Sequence, residues 1–355
     1  MKKSVRIGKI SAGDDYPVII IAEVSLNHNG DMNIAKKMID VASEAGADII
    51  KFQTFRAEGF ISDKNMTYTY KEYSGKKTES QFDMFKRLEL PFEWHKKLKD
   101  YAESKKLIFM STPGDEECAD FLEKLGVAAF KVGSDDLTNL RLIEHIAKKG
   151  KPMIISTGMS TMDEIEDAVQ TIYSTGNKQI VILHCSSEYP ANPENVNLNF
   201  IKTLKKKFDV PIGFSDHTPG IAVPIASVAV GACLIEKHFT LDKKMTGPDH
   251  SFSSDPIELN LLVEGCRMAK KSIGSGIRNM TEEEKEMKRI SRKSIVAASD
   301  IKKGEKFSNE NLAIKRASGV GLEPRLIKKI IGKEVSKDIK EGTPITYGII
   351  KNEDA

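Results

Sequence analysis

Cysteine is scarce in this sequence, and long apolar runs are missing. The chain has 355 residues and four cysteines, Cys118, Cys185, Cys233 and Cys266, which form no CxxC pair. This spacing argues against a disulfide framework or a zinc knot and favours reduced thiols. No apolar run is long enough to span a bilayer, and no N-terminal stretch pairs basic residues with an apolar core. We therefore predict a cytoplasmic protein without a membrane partner.

Neither sign of charge is in large excess. The chain has 54 lysines and arginines against 51 aspartates and glutamates, and its formal net charge is +3. Many lysines fall on the outer faces of helical patterns, as in "KKLKDYAESKK" (96–106), where a solvated surface explains them. This charge is too small for a nucleic-acid footprint, so no nucleic acid is predicted as a partner.

Short apolar, β-branched runs alternate with amphipathic helical patterns through the first two-thirds of the chain. The runs are 18–24, 47–55, 107–113, 128–134, 152–158, 179–185, 210–216 and 232–240. Eight strand–helix units in succession favour an α/β fold of the (β/α)₈ TIM-barrel type over a doubly wound sheet.

The sequence changes character after "SIGSG" (272–276). A highly charged stretch follows, and after it come short strand patterns and tight turns at "KKGE" and "KEGT". We predict a barrel domain in 1–280, a linker in 281–293 and a small second domain in 294–355.

Polar side chains lie at or just after the end of every predicted strand. They are Glu23, Lys51, Gln53, Ser111, Thr112, Lys131, Ser134, Ser156, Thr157, His184, Ser186, Ser187, Glu188, Tyr189, Ser215, Asp216, His217, Glu236, Lys237 and His238. Active sites of barrels lie at these carboxyl ends. Lysines and hydroxyls bind phosphate and carboxylate groups, and a carboxylate can act as a general base. The set predicts a site for a phosphorylated anion beside a divalent metal.

Two predicted strands end in the same pattern of residues. "GFSDHT" (213–218) and "CLIEKHFT" (233–240) each pass from an apolar strand to an acidic residue and a histidine. An isolated histidine is more often a hydrogen-bonded structural residue than a ligand. A matched pair on neighbouring strands can hold a transition metal and leave positions open for substrate and water. We therefore predict metal ligation by His217 and His238.

Other histidines give weaker signals. His95 and His145 fall in helix patterns and are predicted to lie at the surface. His28 and His250 fall in loops near the predicted mouth of the barrel, and the sequence leaves their roles undecided.

Nine short motifs occur in order along the chain. They are "AEVSLNHNG", "GADIIKFQTF", "STP", "FKVGS", "STGM", "HCSSEYP", "GFSDHT", "IEKHFTLDK" and "GPDHS". Together they resemble the sialic acid synthase (N-acetylneuraminate synthase) family. "DIKKGEKFSNENLAIKR" and "GKEVSKDIKEG" resemble that family's C-terminal antifreeze-like domain, so the resemblance covers nearly the whole chain.

The resemblance implies a transferase that condenses phosphoenolpyruvate (PEP) with an open-chain N-acylated hexosamine. The products would be a nine-carbon α-keto acid and phosphate. N-Acetylmannosamine, giving N-acetylneuraminate, is the favoured sugar. A 2,4-diacetamido-6-deoxy sugar, giving legionaminate or pseudaminate, is the alternative, and "GPDHS" is more similar to the neuraminate and legionaminate branches.

Residue roles also follow from the resemblance. It implies manganese, or alternatively magnesium or cobalt, at His217 and His238, with Glu236 orienting the metal site and Glu23 as the acid or base. The residues implied to bind PEP are Lys51, Thr112, Lys131, Ser134, Ser156 and Ser215. The residues implied to contact the sugar are Tyr189, Asp249 and Arg316. It further implies a homodimer in which each C-terminal domain covers the partner's active site.

Three positions depart from the family pattern. Asp135 and Asp136 stand where glycine and an acidic residue are usual, and Asp136 is expected to keep the carboxylate role. Ser187 stands where some members use asparagine to hold the PEP carboxylate. Arg316 is followed by Ala317, where proline is usual.

Two other kinds of function fit parts of the sequence. A different metal-dependent barrel enzyme, such as an aldolase or a phosphosugar hydrolase, would share the paired histidines. A non-catalytic protein that binds ice or glycans would share the antifreeze-like domain, but it would not need lysines and metal ligands that converge in a barrel mouth. Phosphate release that requires both PEP and an amino sugar would distinguish the synthase from another metal-dependent barrel enzyme.

Overall fold

Eight parallel strands form a barrel in a computed structural model that describes residues 4–351. Each lies within one of the eight predicted runs. They are β1 (Ile19–Glu23), β2 (Ile49–Thr54), β3 (Ile108–Pro113), β4 (Phe130–Val132), β5 (Met153–Ser156), β6 (Ile180–Cys185), β7 (Ile212–Asp216) and β8 (Leu234–His238). The hydrogen-bonded order is β3-β2-β1-β8-β7-β6-β5-β4, and the end strands β3 and β4 also contact each other. The predicted barrel is confirmed.

The strands are apolar along their length because both faces of a barrel sheet are covered. Helices pack on the outside. They are α1 (Met32–Glu44), α2 (Phe92–Ser104), α3 (Glu116–Leu125), α4 (Leu140–Ala147), α5 (Met162–Ser174), α6 (Phe200–Lys207), α7 (Ala222–Val230) and α8 (Pro256–Ser272). Asp31 caps α1, and Thr161 with Glu164 forms a capping box at α5.

The amino-terminal end of the barrel is closed by a hairpin of Val5–Ile7 and Ile10–Ala12. Val5, Ile7 and Ala12 are buried in one apolar cluster with barrel residues that include Ile19 and Ile108. This apolar cluster fills the end of the barrel opposite the carboxyl ends of the strands.

The longest insertion lies between β2 and α2. It contains two helices, Ala57–Phe60 and Gln81–Leu88, on either side of a hairpin of Thr67–Glu72 and Gly75–Ser80. A small apolar core holds the insertion to the barrel, and its buried members are Leu26, Phe55, Tyr70, Met84 and Leu88. Two one-turn 3₁₀ helices, Ser134–Asp136 and Pro193–Asn195, follow β4 and β6.

The chain divides into two compact units, Met1–Gly274 and Ser275–Ala355. The second unit contains a helix, Glu282–Ser291, and antiparallel strands Lys293–Ala297 and Leu312–Arg316. Its shorter elements are Pro324–Leu326, Ile327–Ile330 and Tyr347–Ile349. Its own apolar core includes Ile295, Phe307, Val335 and Ile345.

All four cysteines lie within the described residues, where they are buried and free, as predicted. Among the helices between residues 4 and 351, none combines the length and the apolar character needed to cross a membrane.

Candidate active site

A cavity of about 330 Å³ opens at the carboxyl ends of the barrel strands. Thirteen of the fifteen predicted site residues line it. They are Glu23, Lys51, Thr112, Lys131, Ser134, Asp136, Ser156, Tyr189, Ser215, His217, Glu236, His238 and Asp249. The other two, Ser187 and Arg316, do not belong to the lining. Seven further residues of the predicted strand-end set also lie outside it: Ser111, Thr157, His184, Ser186, Glu188, Asp216 and Lys237.

Strand alternation explains why these side chains converge. Ser215 pairs in register with Glu236, and His238 pairs with Glu23, which pairs in turn with Lys51. Successive side chains of a strand point to opposite faces, and residues in register on parallel strands share a face. Hence these residues face the cavity, whereas Asp216, which alternates with Ser215, faces away from it.

Two buried lysines lie among hydroxyls and carboxylates at the inner end of the cavity. Lys51 Nζ lies 2.8 Å from Glu23 Oε2 and 3.8 Å from Glu236 Oε2, and it donates to Thr112 Oγ1 at 3.0 Å. Lys131 Nζ lies 3.7 Å from Glu236 Oε1 and donates to Ser156 Oγ at 2.7 Å. Such a cluster provides charge-assisted donors for an anionic ligand.

The two carboxylates of this cluster have pKa values displaced in opposite directions. Burial raises the pKa of Glu23 to about 7, and the charge of Glu236 adds to the increase although Lys51 opposes it. Burial also disfavours the charged form of Glu236, but Lys131 and Lys51 outweigh burial and hold its pKa below the ordinary value. One carboxyl group can therefore exchange a proton near neutral pH while its neighbour stays ionised.

The ring centroids of His217 and His238 lie 5.2 Å apart, and the two ring planes are tilted by 55°. His217 Nδ1 lies 2.9 Å from the Ser186 carbonyl oxygen, an acceptor that assigns the proton to Nδ1 and leaves Nε2 free to bind a metal. His238 Nδ1 is buried and has no hydrogen-bond partner among the described residues. Asp249 Oδ2 lies 3.6 Å from it.

The protonation of the two histidines differs. Burial and the neighbouring charge of His217 hold the pKa of His238 well below its ordinary value, so His238 is neutral, the form that binds metals. Burial opposes the charged form of His217 as well, but its contact with Cys185 raises its pKa overall. A metal at His217 would therefore compete with a proton.

These observations fit a divalent metal held by two imidazoles. Residues 4–351 contain no group of three or more histidine, cysteine, aspartate or glutamate side chains arranged to hold a metal. The remaining coordination positions would fall to substrate and water. Glu236 contacts Ser215 and the lysines, whereas the Ser186 carbonyl orients His217. Sequence reasoning missed this carbonyl because a main-chain acceptor has no residue signature.

The remaining predicted residues have identifiable contacts. Ser134 Oγ accepts from Gly158 N at 2.9 Å, and Asp136 Oδ1 accepts from Asn139 Nδ2 at 3.0 Å. Ser187 Oγ is buried without a partner in the described part of the chain. Arg316 is exposed at the end of its strand in the second unit.

The structure settles the roles of three further histidines. The prediction that His95 lies at the surface is wrong, because its side chain is buried and hydrogen-bonded to Thr54 Oγ1 at 2.7 Å. His28 accepts from Gly30 N, and His250 contacts Thr240 Oγ1 at 2.7 Å. Burial lowers the pKa of both to about 4, so both are neutral structural residues.

An apolar part of the cavity was not predicted. Its lining includes Leu26, Phe55, Phe60, Tyr68, Met84 and Phe85, most of them from the insertion between β2 and α2. The one available signal was the length of the segment 56–90, whose residue pattern gives no direct indication of a ligand.

The fold and the cavity define a (β/α)₈ barrel with a cluster of buried lysines and hydroxyls next to paired histidines. The NeuB family model matches residues 38–278, and the SAF domain model matches residues 292–348. The chain belongs to the NeuB family. The predicted class of enzyme, a synthase of the sialic acid type, is confirmed, as is the predicted C-terminal domain.

Relatives of this chain are synthases of several sialic-acid-type products. The N,N'-diacetyllegionaminic acid synthase of Campylobacter jejuni is 45% identical over 91% of this chain and 97% of its own length. The enzyme of the same name from Legionella pneumophila is 40% identical, over 94% and 95%. A crystal structure of N-acetylneuraminic acid synthetase from Leptospira borgpetersenii, in complex with citrate, is 36% identical with a TM-score of 0.73, covering 81% and 95% of the two chains.

Proposed function

We propose that the protein condenses PEP with an open-chain 2,4-diacetamido-6-deoxy hexose, giving a legionaminate-type α-keto acid and phosphate. The observation that carries this proposal is the placement of Lys51, Lys131 and their hydroxyl partners in one cavity with Glu23 and the paired histidines. We favour the diacetamido sugar over N-acetylmannosamine, which the sequence analysis favoured, for two reasons. The legionaminic acid synthases are more similar to this chain than the neuraminic acid synthetase structure is, and the outer part of the cavity is apolar.

We call Lys51, Lys131 and their hydroxyl partners the anion cluster, because they can bind an anionic ligand. This cluster suits PEP, since PEP carries both a phosphate and a carboxylate. Lys51 and Lys131 would hold these groups with Thr112, Ser156 and the other predicted hydroxyls. PEP C3 then forms a bond to the aldehyde carbon of the sugar, and the aldehyde oxygen takes up a proton. Water adds at C2, and the loss of phosphate leaves the ketone of the product.

Glu23 is the proposed acid and base in this sequence. Because burial raises its pKa to about 7, a large fraction is protonated at neutral pH and can donate to the aldehyde oxygen. The resulting carboxylate can take a proton from the water that adds at C2. Its contact with Lys51 supports a position beside the proposed PEP site.

We also propose that His217 and His238 hold a divalent metal, with manganese preferred. When bound, such an ion would act as a Lewis acid toward the aldehyde oxygen. The free Nε2 of His217 and the unpartnered Nδ1 of His238 support this assignment.

Phosphate release tests the proposed reaction. The purified protein with Mn²⁺ should release phosphate only when PEP and an N-acylated amino sugar are both present, and 2,4-diacetamido-2,4,6-trideoxymannose should be the best substrate. N-Acetylmannosamine and the pseudaminate precursor serve as comparison sugars. Phosphate release from PEP alone, or aldol cleavage without PEP, would favour a different barrel enzyme.

Three earlier predictions stay predictions. They are the cytoplasmic location, the homodimer with exchanged C-terminal domains, and the sugar contact by Arg316. Mixing Arg316→Ala and His238→Ala proteins after unfolding would restore activity only if these two residues serve different subunits.

A further inference from the structure

Five apolar side chains form one side of the cavity, which we call the apolar wall: Leu26, Phe55, Phe60, Met84 and Phe85. The ring of Phe85 lies edge-on to Phe55 at 5.3 Å and to Phe60 at 5.0 Å between centroids. Leu26, Phe55 and Met84 are buried, whereas Phe60 and Phe85 are half-buried. The wall is therefore a packed surface that still presents aromatic area to the cavity.

The wall lies farther out from the barrel than the anion cluster. Phe55 comes four residues after Lys51 along β2 and its continuation, a distance of about 13 Å in an extended strand. Leu26 comes three residues after Glu23, in the turn that follows β1. The cavity thus has a charged inner end and an outer side where the apolar wall is accompanied by Tyr68 and Gln81 of the same insertion.

The reaction fixes which end of the sugar meets the wall. The aldehyde carbon must lie at the inner end, beside PEP and the paired histidines, so the far end of the open chain extends outward. An uncompensated hydroxyl against an apolar surface loses its hydrogen bonds to water, and a phosphate loses more. Among the described lining residues, the only lysines or arginines are Lys51 and Lys131, both at the inner end.

We propose that the apolar wall receives the C6 methyl group of a 6-deoxy sugar and selects it over 6-hydroxy and 6-phosphorylated sugars. This inference rests on the proposed function and names the residues that determine its specificity. Phe60 and Phe85 are the specificity-determining residues, since they keep exposed ring area on the cavity side.

A matched pair of substrates isolates the C6 group. 2,4-Diacetamido-2,4,6-trideoxymannose and its 6-hydroxy analogue differ only in one hydroxyl. Apolar pockets discriminate by about 10- to 100-fold for a change of this size. We expect the wild-type kcat/KM to favour the 6-deoxy sugar by this factor, with an unchanged KM for PEP.

Two variants test the wall. Phe85→Ala opens it, and Met84→Gln adds a polar group at nearly constant length; each should reduce the preference at least about fivefold. Phe82→Ala is the matched control, because Phe82 lies on the same helix but packs against Lys64 and does not line the cavity. It should keep the wild-type preference. Thermal unfolding of each variant shows whether it is folded at the assay temperature.

The outcomes separate the two proposals. Phosphate release with both sugars at equal kcat/KM, or an unchanged preference in both Phe85→Ala and Met84→Gln, would overturn the apolar wall and leave the synthase standing. Absence of phosphate release with every amino sugar would overturn the proposed function, and the wall with it.

Discussion

Lys237 Nζ lies 2.5 Å from Asp216 Oδ2, and both side chains are buried. Asp216 also accepts from the main-chain N–H and the hydroxyl of Thr218, and Lys237 donates to the Thr218 carbonyl oxygen. Asp216 precedes His217, and Lys237 precedes His238. The ion pair therefore joins β7 to β8 directly behind the paired histidines.

The Asp216→Asn variant should lose both stability and metal affinity. The change leaves Lys237 charged and buried without its carboxylate, which costs about 3–5 kcal/mol in free energy of unfolding. Denaturant unfolding measures this loss. Asp100→Asn is the matched control, since its pair with Lys96 is exposed and should contribute at most about 1 kcal/mol.

A second measurement distinguishes positioning from stability alone. Mn²⁺ affinity, measured where Asp216→Asn is still folded, should fall relative to that of the wild type because the two strand ends are no longer held together. An unchanged Mn²⁺ affinity would mean that the Asp216–Lys237 pair contributes to stability only, and that other contacts position the histidines.

The metal assignment predicts that His217→Ala and His238→Ala each reduce Mn²⁺ binding while the barrel stays folded. Each variant removes one of two protein ligands. His250→Ala is the control, because that histidine is buried nearby but hydrogen-bonded to Thr240. EDTA should abolish wild-type activity and Mn²⁺ should restore it. Full activity of either ligand variant after chelation would contradict the assignment.

The anion cluster predicts selective loss of PEP binding. Lys51→Ala and Lys131→Ala each remove a buried cation that faces an anionic ligand, a change worth roughly 2–5 kcal/mol. Calorimetric titration with PEP should show this loss, and Lys96→Ala, on the exposed face of α2, should bind PEP normally. Equal weakening of PEP and sugar binding would indicate a general disturbance of the fold.

The sequence predicted the barrel well because strand and helix periodicities are local. The convergence of Lys51, Glu236 and His238 followed from their places at strand ends, since the topology of a barrel brings those ends together. The apolar wall was not predictable, because an insertion's fold depends on contacts among Phe55, Phe85 and distant residues. His95 was misplaced because the helix pattern does not show that its imidazole reaches Thr54 in the core.

Glu23 gives a prediction about pH. Its pKa is raised from an ordinary value near 4.5 to about 7 in the folded protein, so the folded state holds a proton more tightly than the unfolded state. The stability from this group is complete below pH 4.5 and is lost as the pH rises to 7. Glu23→Gln imitates the protonated form at every pH and should escape the loss.

The unfolding free energies of the variant and the wild type are therefore compared at two pH values. From pH 5 to pH 8, the metal-free Glu23→Gln variant should gain about 2–3 kcal/mol of unfolding free energy relative to the wild type. Glu93→Gln, at an exposed position in the first turn of α2, should show no comparable gain. If the difference in unfolding free energy between Glu23→Gln and the wild type is the same at both pH values, Lys51 keeps Glu23 ionised throughout this range. In that case Glu23 could not be the proton donor, and another group would have to protonate the aldehyde oxygen.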